Sequence, residues 1–282
     1  MIISQTPEQI RSYLAPLRQK HIALVPTMGC LHAGHISLIR KAKSLADVVV
    51  VSIYVNPLQF GENEDFSQYP RNFEKDEEIC KKEGVDCIFH PHNLYPEDGA
   101  KITLQVSQIG DMLCGASRAG HFDGVATVVN ILFNIIQPNI AIFGEKDWQQ
   151  RAIIRRMVSD LHMAIEVIGC TIVREHDGLA LSSRNRYLSP DEREKSLHLS
   201  QTMRLIKNNI KLGEKTSKII KFGIDNFKKY DISPEYLEIR DELTLNLESI
   251  ITSQSRLFLA AKIGHTRLID NTSLKLEMEN TL

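Results

Sequence analysis

Residues 26–35 read Pro-Thr-Met-Gly-Cys-Leu-His-Ala-Gly-His, and they join a short apolar run at 21–25 to a segment of helical spacing that begins at Ile36. A strand that enters a helix through a glycine-containing turn presents free backbone N–H groups and the positive end of the helix dipole to one point. His32 and His35 lie three positions apart, so both imidazoles project to the same side of a first helical turn. Neutral imidazoles there can donate hydrogen bonds to phosphate oxygens and stabilise the charge that builds on them. The stretch therefore favours a nucleotide phosphate site, while a His pair at this spacing, taken alone, also fits surface side chains or two ligands of a metal site.

The residues after this turn predict a parallel crossover. Apolar side chains recur at helical spacing between 38 and 46, and residues 48–55 form a β-branched run typical of a strand covered on both faces. A strand, a helix and a second strand in this order form a right-handed parallel unit. We therefore predict an α/β fold with a Rossmann-like parallel sheet and helices on both faces, plus a smaller α+β domain at the carboxyl end.

Length and composition allow one well-filled core and a smaller second unit. The chain has 282 residues, 43% of them hydrophobic, with 34 basic and 35 acidic side chains. Because this balance creates no global positive field, we expect no nucleic-acid partner. The five cysteines, an odd number without a Cys-x-x-Cys pair, are expected to be free thiols in a reducing compartment. The first residues lack the pattern of a signal peptide and no apolar run reaches about 20 residues, so we expect a cytoplasmic protein without membrane contact.

Further elements alternate along the chain up to about residue 173. After a polar loop at 56–71, the pattern predicts helices at 73–83, 125–136 and 147–161 and strands at 85–89, 139–143 and 165–173. A helix with Pro190 in its first turn follows, and then β-patterned runs at 236–240, 256–263 and 268–269. The boundary is expected near 175–188, which gives a first domain at 1–176 and a second at 177–282.

A second polar cluster follows the predicted strand at 139–143. It reads Gly144-Glu145-Lys146-Asp147, and we expect it at the same sheet edge as the histidines because parallel strands end on one side. Lys146 supplies a compact positive charge for the β- and γ-phosphates as pyrophosphate leaves. Asp147 is suited to the ribose hydroxyls or to a magnesium ion held through water. Taken alone, the same residues also fit a solvated cap at a helix start.

These motifs match a known family, in order, along nearly the whole chain. The His-x-Gly-His wording resembles the signature of the nucleotidylyltransferase superfamily, and within it the chain resembles the pantothenate synthetase family. The other matching stretches are Val55-Asn56-Pro57-Leu58-Gln59-Phe60-Gly61, Tyr69-Pro70-Arg71, Gly115-Ala116-Ser117-Arg118, Gly120-His121-Phe122, Phe143-Gly144-Glu145-Lys146-Asp147, Gln149-Gln150, the run from Asp177 to Asn185, and Leu268-Ile269-Asp270-Asn271.

The resemblance implies a role for each site residue. Catalytic roles fall to His35, His32, Lys146 and Arg184. The implied ATP-binding residues are Pro26, Thr27, Met28, Gly29, His32, Gly34, His35, Gly144, Glu145, Lys146, Asp147, Val173, Leu181, Ser182, Ser183 and Arg184. The implied pantoate and β-alanine residues are the amides Gln59, Gln150 and Asn56, with Met28 and Phe60 near the dimethyl carbon of pantoate. Tyr69, Arg71, Arg118 and His121 are expected to order loops around the cavity.

The resemblance also implies a fold of the nucleotidylyltransferase type and a reaction in two steps. The carboxylate of pantoate attacks the α-phosphorus of ATP and forms pantoyl adenylate and pyrophosphate. The amine of β-alanine then expels AMP and forms pantothenate. Mg²⁺ accompanies the triphosphate, and neither a protein-held metal nor a prosthetic group is expected. The first domain would bind nucleotide and pantoate, the second would act as a lid, and the protein would be a homodimer.

Three other interpretations of the sequence stay open. A different nucleotidylyltransferase would join a nucleotide to a phosphorylated small molecule and would ignore β-alanine. A zinc hydrolase would use His32, His35 and the pair His90 and His92 as ligands. A non-catalytic module would bind ATP without releasing pyrophosphate, although several independent polar clusters exceed what binding alone needs.

Overall fold

Six parallel strands form the sheet of the first unit, Met1–Ile172, and three antiparallel strands form that of the second, Val173–Leu282. The computed structural model describes residues 1–62 and 64–275. The α/β class with a parallel sheet and a smaller α+β second part is therefore confirmed. The assignment of 1–176 to nucleotide and pantoate binding and of 177–282 to a lid stays a prediction.

The first unit alternates strands and helices. The strands are β1 (Ile2–Ser4), β2 (Ile22–Thr27), β3 (Val48–Ile53), β4 (Cys87–Phe89), β5 (Ile140–Gly144) and β6 (Glu166–Cys170). The helices are α1 (Pro7–Leu14), α2 (Ala33–Lys43), α3 (Phe73–Lys82), α4 (Cys114–Ser117), α5 (His121–Ile136) and α6 (Trp148–Asp160), with single 3-10 turns at Ala15–Leu17, Pro57–Gln59 and Glu145–Asp147.

The order of the strands creates the crevice in which such sheets bind ligands. It runs β1-β4-β3-β2-β5-β6, so the chain leaves β2 toward β3 on one side while β5 lies on the other side. The connections after β2 and β5 therefore diverge at the carboxyl ends of two neighbouring strands, which is the topological switch point of an open α/β sheet. Both predicted polar clusters, the one after Thr27 and the one from Gly144 onward, follow these two strands.

The centre of the sheet is held by apolar residues on both faces. All six residues of β3 are buried, and β2 pairs with it in register from Ile22–Val48 to Thr27–Ile53. One face packs against α2 and α3 through Val25, Val49 and Val51 and their neighbours in one apolar cluster. A continuous β-branched strand of this kind requires cover on both sides, as the sequence predicts.

The second unit packs two helices on its small sheet. Its elements are α7 (Pro190–Asn209), α8 (Thr216–Lys228), β7 (Pro234–Asp241), β8 (Ser255–Ile263) and β9 (Thr266–Ser273), with a 3-10 turn at Ser183–Tyr187. The predicted start of α7 is confirmed, because Ser189 and Glu192 form a capping box and Pro190 opens the first turn. The two helices contribute Leu199, Met203 and Phe227 to one apolar cluster with β7, β8 and β9.

Several predicted elements have different bounds. The strand predicted at 85–89 covers Cys87–Phe89 only, and the helix predicted at 125–136 begins at His121, directly after Gly120 with a φ of +74°. The edge strand β1 was not predicted, since its three residues carry too little periodicity to be recognised, and the helix α1 was not predicted either. Within the described ranges, no helix is both long and apolar enough to cross a bilayer.

The core of the parallel sheet gives a direct test of this packing. Ile142 lies in β5 with 0% exposure, so Ile142→Ala should lower the free energy of unfolding by about 2–5 kcal/mol, because the cavity cannot collapse fully. Ile102, which is 89% exposed, is the matched control, and Ile102→Ala should change the stability by less than about 0.5 kcal/mol. Urea denaturation of both variants measures the difference; equal effects would contradict the packing described.

Candidate active site

The turn that follows β2 has an unusual backbone. Gly29 and Cys30 both have positive φ values, +81° and +53°, in consecutive positions. The Thr27 hydroxyl donates to the Ser52 carbonyl at 2.8 Å and accepts from the Gly29 N–H at 3.1 Å, which ties the turn to β3. A left-handed pair of this kind redirects the chain sharply, so that α2 starts at the sheet edge.

A buried carboxylate on α3 holds the next two residues. Asp76, 2% exposed, accepts the backbone N–H of Cys30 at 2.8 Å and that of Leu31 at 2.7 Å, one on each oxygen. A Cβ at Gly29 would lie 2.9 Å from Asp76 Oδ2 and 3.1 Å from Ile53, so only glycine fits this position. Burial raises the pKa of Asp76, and the two backbone N–H groups partly oppose that shift. The sequence did not single out Asp76, because an acidic residue in a charged helix usually faces solvent.

His32 and His35 bind each other's backbone at the start of α2. His32 is the N-cap residue, and its Nδ1 accepts from the Gly34 N–H at 3.1 Å. His35 Nδ1 accepts from the His32 N–H at 3.3 Å, and the two ring centroids are 4.1 Å apart. Since each Nδ1 is an acceptor, each neutral ring carries its proton on Nε2. The pair therefore offers two N–H donors from one helix start.

The environment of His35 keeps its ring neutral. Burial lowers the pKa of this partly buried imidazole to about 3, and the nearby His32 and Lys146 act in the same direction. Lys146 lies in the 3-10 turn after β5, with Nζ 3.7 Å from Asp147 Oδ1. The Lys146 side chain is 21% exposed and that of Asp147 51%. Lys146 is thus close enough to His35 to lower its pKa, which brings the two predicted clusters near each other.

The two glutamines at the start of α6 have different surroundings. Gln149 is buried and is used by the fold, since it accepts from the Cys114 N–H at 3.0 Å and donates to the carbonyls of Ile109 and Met112. Gln150 is partly buried one position later. Glu145, before this helix, pairs with Arg151 at 3.8 Å, and Arg151 stacks over Trp148 at 4.8 Å.

Two of the predicted pantoate amides, Asn56 and Gln59, form a second group with Met28. Asn56 Nδ2 donates to Gln59 Oε1 at 3.2 Å and to the Gly124 carbonyl at 3.0 Å, and Asn56 Oδ1 accepts from Tyr95 and from Leu58. Gln59 Nε2 lies 2.9 Å from the Met28 sulfur. Asn56 thus holds Gln59 in place. A thioether is a weak acceptor, so the Gln59 N–H is available to a stronger one.

A charged network fixes the backbone of Gln59. Arg118 donates from Nε and Nη2 to both carboxylate oxygens of Glu64 at 2.6 Å each, and from Nη1 to His121 Nε2 at 2.8 Å. His121 Nδ1 in turn donates to the Gln59 carbonyl at 2.7 Å. Burial, followed by the neighbouring Arg118, lowers the pKa of His121 to about 4. Arg118 and His121 order this loop as the sequence predicted, whereas Glu64, their anchor, was not predicted.

Aromatic side chains close the same loop. Phe60 packs edge-on against Phe66 and Tyr69, with centroids 5.3 and 6.0 Å apart. Arg71 lies over Phe66 at 5.3 Å and donates to the carbonyls of Tyr69 and Phe66. Phe60 therefore packs within the loop, and its contact with pantoate stays a prediction.

The predicted phosphate segment at 181–184 lies in the second unit, held by a network of its own. Leu181 N–H donates to the Val173 carbonyl at 3.0 Å, and Ser182 Oγ accepts from the Arg184 N–H at 3.2 Å. The preceding residues are anchored by Arg174, which binds both oxygens of Asp270 at 2.7 and 2.9 Å. A second anchor is formed by Arg193 with Glu175 and Asp177, while Asn185 donates to Glu175 and to the Ala180 carbonyl.

The described residues contain no group of three or more His, Cys, Asp or Glu side chains that is arranged to hold a metal ion. The zinc site considered for His32, His35, His90 and His92 therefore lacks its ligand set in these ranges. His90 instead donates from Nδ1 to the Ile53 carbonyl, 2.8 Å away, and stacks on Phe73.

Comparisons with known proteins agree with this geometry. The family model for pantoate-beta-alanine ligase matches residues 2–273. The pantothenate synthetase of Thermotoga petrophila is 48% identical over 280 residues, covering 97% of this chain and 100% of the relative. The crystal structure of pantothenate synthetase from Thermus thermophilus superposes with a TM-score of 0.93 at 39% identity, covering 98% of this chain and 100% of that one.

A third relative was solved with small molecules. The pantoate-beta-alanine ligase of Francisella tularensis, complexed with beta-gamma ATP and beta-alanine, has a TM-score of 0.82 and 35% identity, with 98% of this chain and 99% of that chain covered. Because this identity extends over the full length of the chains, the likeness is more than a shared fold. The nucleotidylyltransferase-type architecture predicted from the sequence is confirmed by the same comparison. The chain belongs to the pantoate-beta-alanine ligase family and is a ligase.

Proposed function

We propose that the protein condenses pantoate with β-alanine to form pantothenate, while ATP is cleaved to AMP and pyrophosphate through a pantoyl-adenylate intermediate. One observation carries the proposal: two neutral imidazoles and one lysine converge at the switch point of the parallel sheet. The family match supports the choice of acid and amine, and the complex of the Francisella tularensis relative supports ATP and β-alanine as substrates.

In the first step, the pantoate carboxylate attacks the α-phosphorus, and the bond to the leaving pyrophosphate breaks. His35 and His32 stabilise the charge that grows on the α-phosphate oxygens through their Nε2–H donors. Lys146 carries the positive charge for the departing β- and γ-phosphates. Because the imidazoles stay neutral, they need no proton transfer, and no protein nucleophile takes part.

Pantoate is assigned to the amide group beside Met28. Gln59 donates from Nε2 to the acid, and Gln150 provides a second amide; Asn56 keeps Gln59 in position by the hydrogen bonds described. Neutral amides bind a small hydroxy-acid without placing an unpaired protein charge in a buried pocket. In the second step, the β-alanine amine attacks the activated carbonyl and AMP leaves.

The remaining assignments rest on family resemblance. Leu181, Ser182, Ser183 and Arg184 are proposed to bind the nucleotide, with Arg184 offering a forked donor to phosphate. Mg²⁺ is proposed to arrive with the triphosphate, whose charge it neutralises, and Asp147 to contact it through water. This ion prefers phosphate, carboxylate and water oxygens, which fits the half-exposed Asp147 carboxylate. We also propose that the protein is a homodimer and is located in the cytoplasm.

The products identify the reaction directly. With ATP and Mg²⁺, the protein should form AMP and pyrophosphate when pantoate and β-alanine are supplied together. With pantoate labelled by ¹⁸O in its carboxylate, one labelled oxygen should appear in AMP, because that oxygen bridges the adenylate. Mass spectrometry of the nucleotides measures this transfer.

Other outcomes separate the alternatives. Unlabelled AMP would exclude the adenylate, and ADP with phosphate would indicate attack at the γ-phosphorus. A stable nucleotide product that ignores β-alanine would indicate a different nucleotidylyltransferase, and ATP binding without turnover would indicate a non-catalytic module.

Substitution of His35 or Lys146 should stop the first step, the release of pyrophosphate. We expect His35→Ala and Lys146→Ala each to reduce pyrophosphate release at least about 100-fold, as for loss of one oxyanion donor. His35→Gln should keep more activity than His35→Ala, since its amide places an N–H near the position of Nε2. Because the pKa of His35 is about 3, the wild-type rate should show no His35 titration between pH 5 and 9.

The matched controls are exposed residues of the same types. Lys41→Ala, on the far end of α2, and His265→Ala, in the turn between β8 and β9, should leave turnover within about 2-fold of wild type. A pyrophosphate release assay with all four alanine variants compares them, and near-normal turnover of His35→Ala or Lys146→Ala would remove that residue from the mechanism.

Loss of the Gln59 amide should raise the KM for pantoate more than that for ATP. Gln59→Ala should raise the KM for pantoate about 10-fold or more, the value of one lost hydrogen bond to a charged group, while the KM for ATP changes less than about 2-fold. The exposed Gln68→Ala is the control and should match wild type. Steady-state kinetics with each substrate varied in turn measures the split; an equal rise in both KM values would argue against the assignment.

A further inference from the structure

We infer that Asp76 is a positioning residue, which sets the geometry of His32 and His35 through the backbone of the turn at 29–31. The inference rests on the proposed function, because it matters for the reaction only if those histidines contact the α-phosphate. Asp76 itself lies on α3, on a different element from both histidines, and its carboxylate binds backbone rather than side chains.

Three observations carry the inference. Both oxygens of Asp76 are used, one for each of two consecutive N–H groups, at 2.8 and 2.7 Å. The residue immediately after these two is His32, the N-cap of α2, whose own N–H binds His35. A rotation of the Cys30–Leu31 backbone therefore moves His32 and, through its N–H, the ring of His35.

The chain at this turn adopts a conformation that it would not keep unaided. Cys30 has a φ of +53°, a region that side-chain-bearing residues rarely adopt, and Gly29 lies against Asp76 with no space for a Cβ. No ion pair of Asp76 occurs in the part of the chain that the structure describes. A buried carboxylate without an ion-pair partner is costly, and here both of its oxygens are used to hold the turn.

A generic stabilising role is less consistent with the surroundings. Asp86, directly before β4, offers a matched comparison, because it accepts the Val49 N–H at 2.9 Å at the amino ends of the strands. That carboxylate is partly exposed and lies beside Lys43. Asp76 and Asp86 both bind backbone N–H groups, but only Asp76 does so at the edge where the predicted site lies.

The test compares Asp76→Asn with Asp86→Asn in the full-length protein. The amide introduced by Asp76→Asn presents an N–H to one of the two backbone donors, so the turn must shift. We expect Asp76→Asn to lower kcat about 100-fold, as for a displacement of about 1 Å of catalytic groups, with KM values within about 3-fold of wild type. Asp86→Asn should retain kcat within about 2-fold of wild type, because its carboxylate lies at the opposite ends of the strands.

A second measurement reads the geometry without the reaction. In protein labelled with ¹³C at histidine Cε1, the resonances of His32 and His35 should shift in Asp76→Asn and stay in place in Asp86→Asn; variants at each histidine assign them among the ten histidines. If the wild type forms no AMP but these resonances shift, the proposed function fails and the positioning role stands.

Opposite results overturn the inference. Unmoved histidine resonances, a kcat of Asp76→Asn within about 2-fold of wild type, or the same loss in both variants would each do so. If Asp76→Asn does not fold, Asp76→Glu provides the same two readouts, since it keeps the charge but displaces both oxygens by one methylene. A wild-type kcat and wild-type resonances in Asp76→Glu would equally overturn the positioning role.

Discussion

The left-handed turn between β2 and α2 is the constraint on which the first unit depends. Holding a residue such as Cys30 at positive φ costs about 1–2 kcal/mol, whereas a hydrogen bond to a charged group contributes about 1.5–3 kcal/mol, and Asp76 accepts two. The hydrogen bonds outweigh the backbone strain, so the turn is kept. Burial nevertheless raises the pKa of Asp76 above its ordinary value, so the ionised acid is less favourable in the native state than in the unfolded chain, and this contribution to stability is lost as pH rises through the folded pKa. The Asp76 carboxylate therefore fixes the geometry of the turn at some cost in the stability of the native state.

Two imidazoles of the first unit, those of His35 and His121, lie near a cation and have lowered pKa values. Burial is the main reason why a positive charge on the His35 ring is unfavourable, and the neighbouring His32 and then Lys146 add to this effect. The imidazole therefore remains a neutral donor, and its tautomer is set by the His32 N–H that binds Nδ1. For His121, burial and then the neighbouring Arg118 have the same effect, and there the ring donates to the Gln59 carbonyl. In both cases a backbone hydrogen bond fixes a neutral ring next to a cation.

Local pattern explains what the sequence could predict. The apolar run of β2, the helical spacing of α2 and the β-branched β3 are each encoded within a few neighbouring residues, and their order leaves one parallel topology. The family motifs supplied the candidate residues. What could not be predicted depends on contacts between distant parts of the chain: Asp76 lies 46 positions from Cys30, and Glu64 lies 54 from Arg118. Neither a charged helix nor a polar loop shows in its own composition which carboxylate turns inward.

The choice of amides for the acid substrate follows from the proposed chemistry. A carboxylate that must attack phosphorus loses nucleophilicity when an arginine or a lysine neutralises it, and a cation at that point would also compete with the phosphate for the same acid. In the proposed mechanism, Gln59 avoids both effects, because its N–H would orient the carboxylate while the negative charge stays on the attacking oxygens. The weak acceptor at Met28, 2.9 Å from that amide, occupies the donor only until a stronger acceptor arrives. Glu64 engages both donors of Arg118 that face it, and in the proposed mechanism Lys146 carries the charge of the leaving group, so the acid would bind as a free anion.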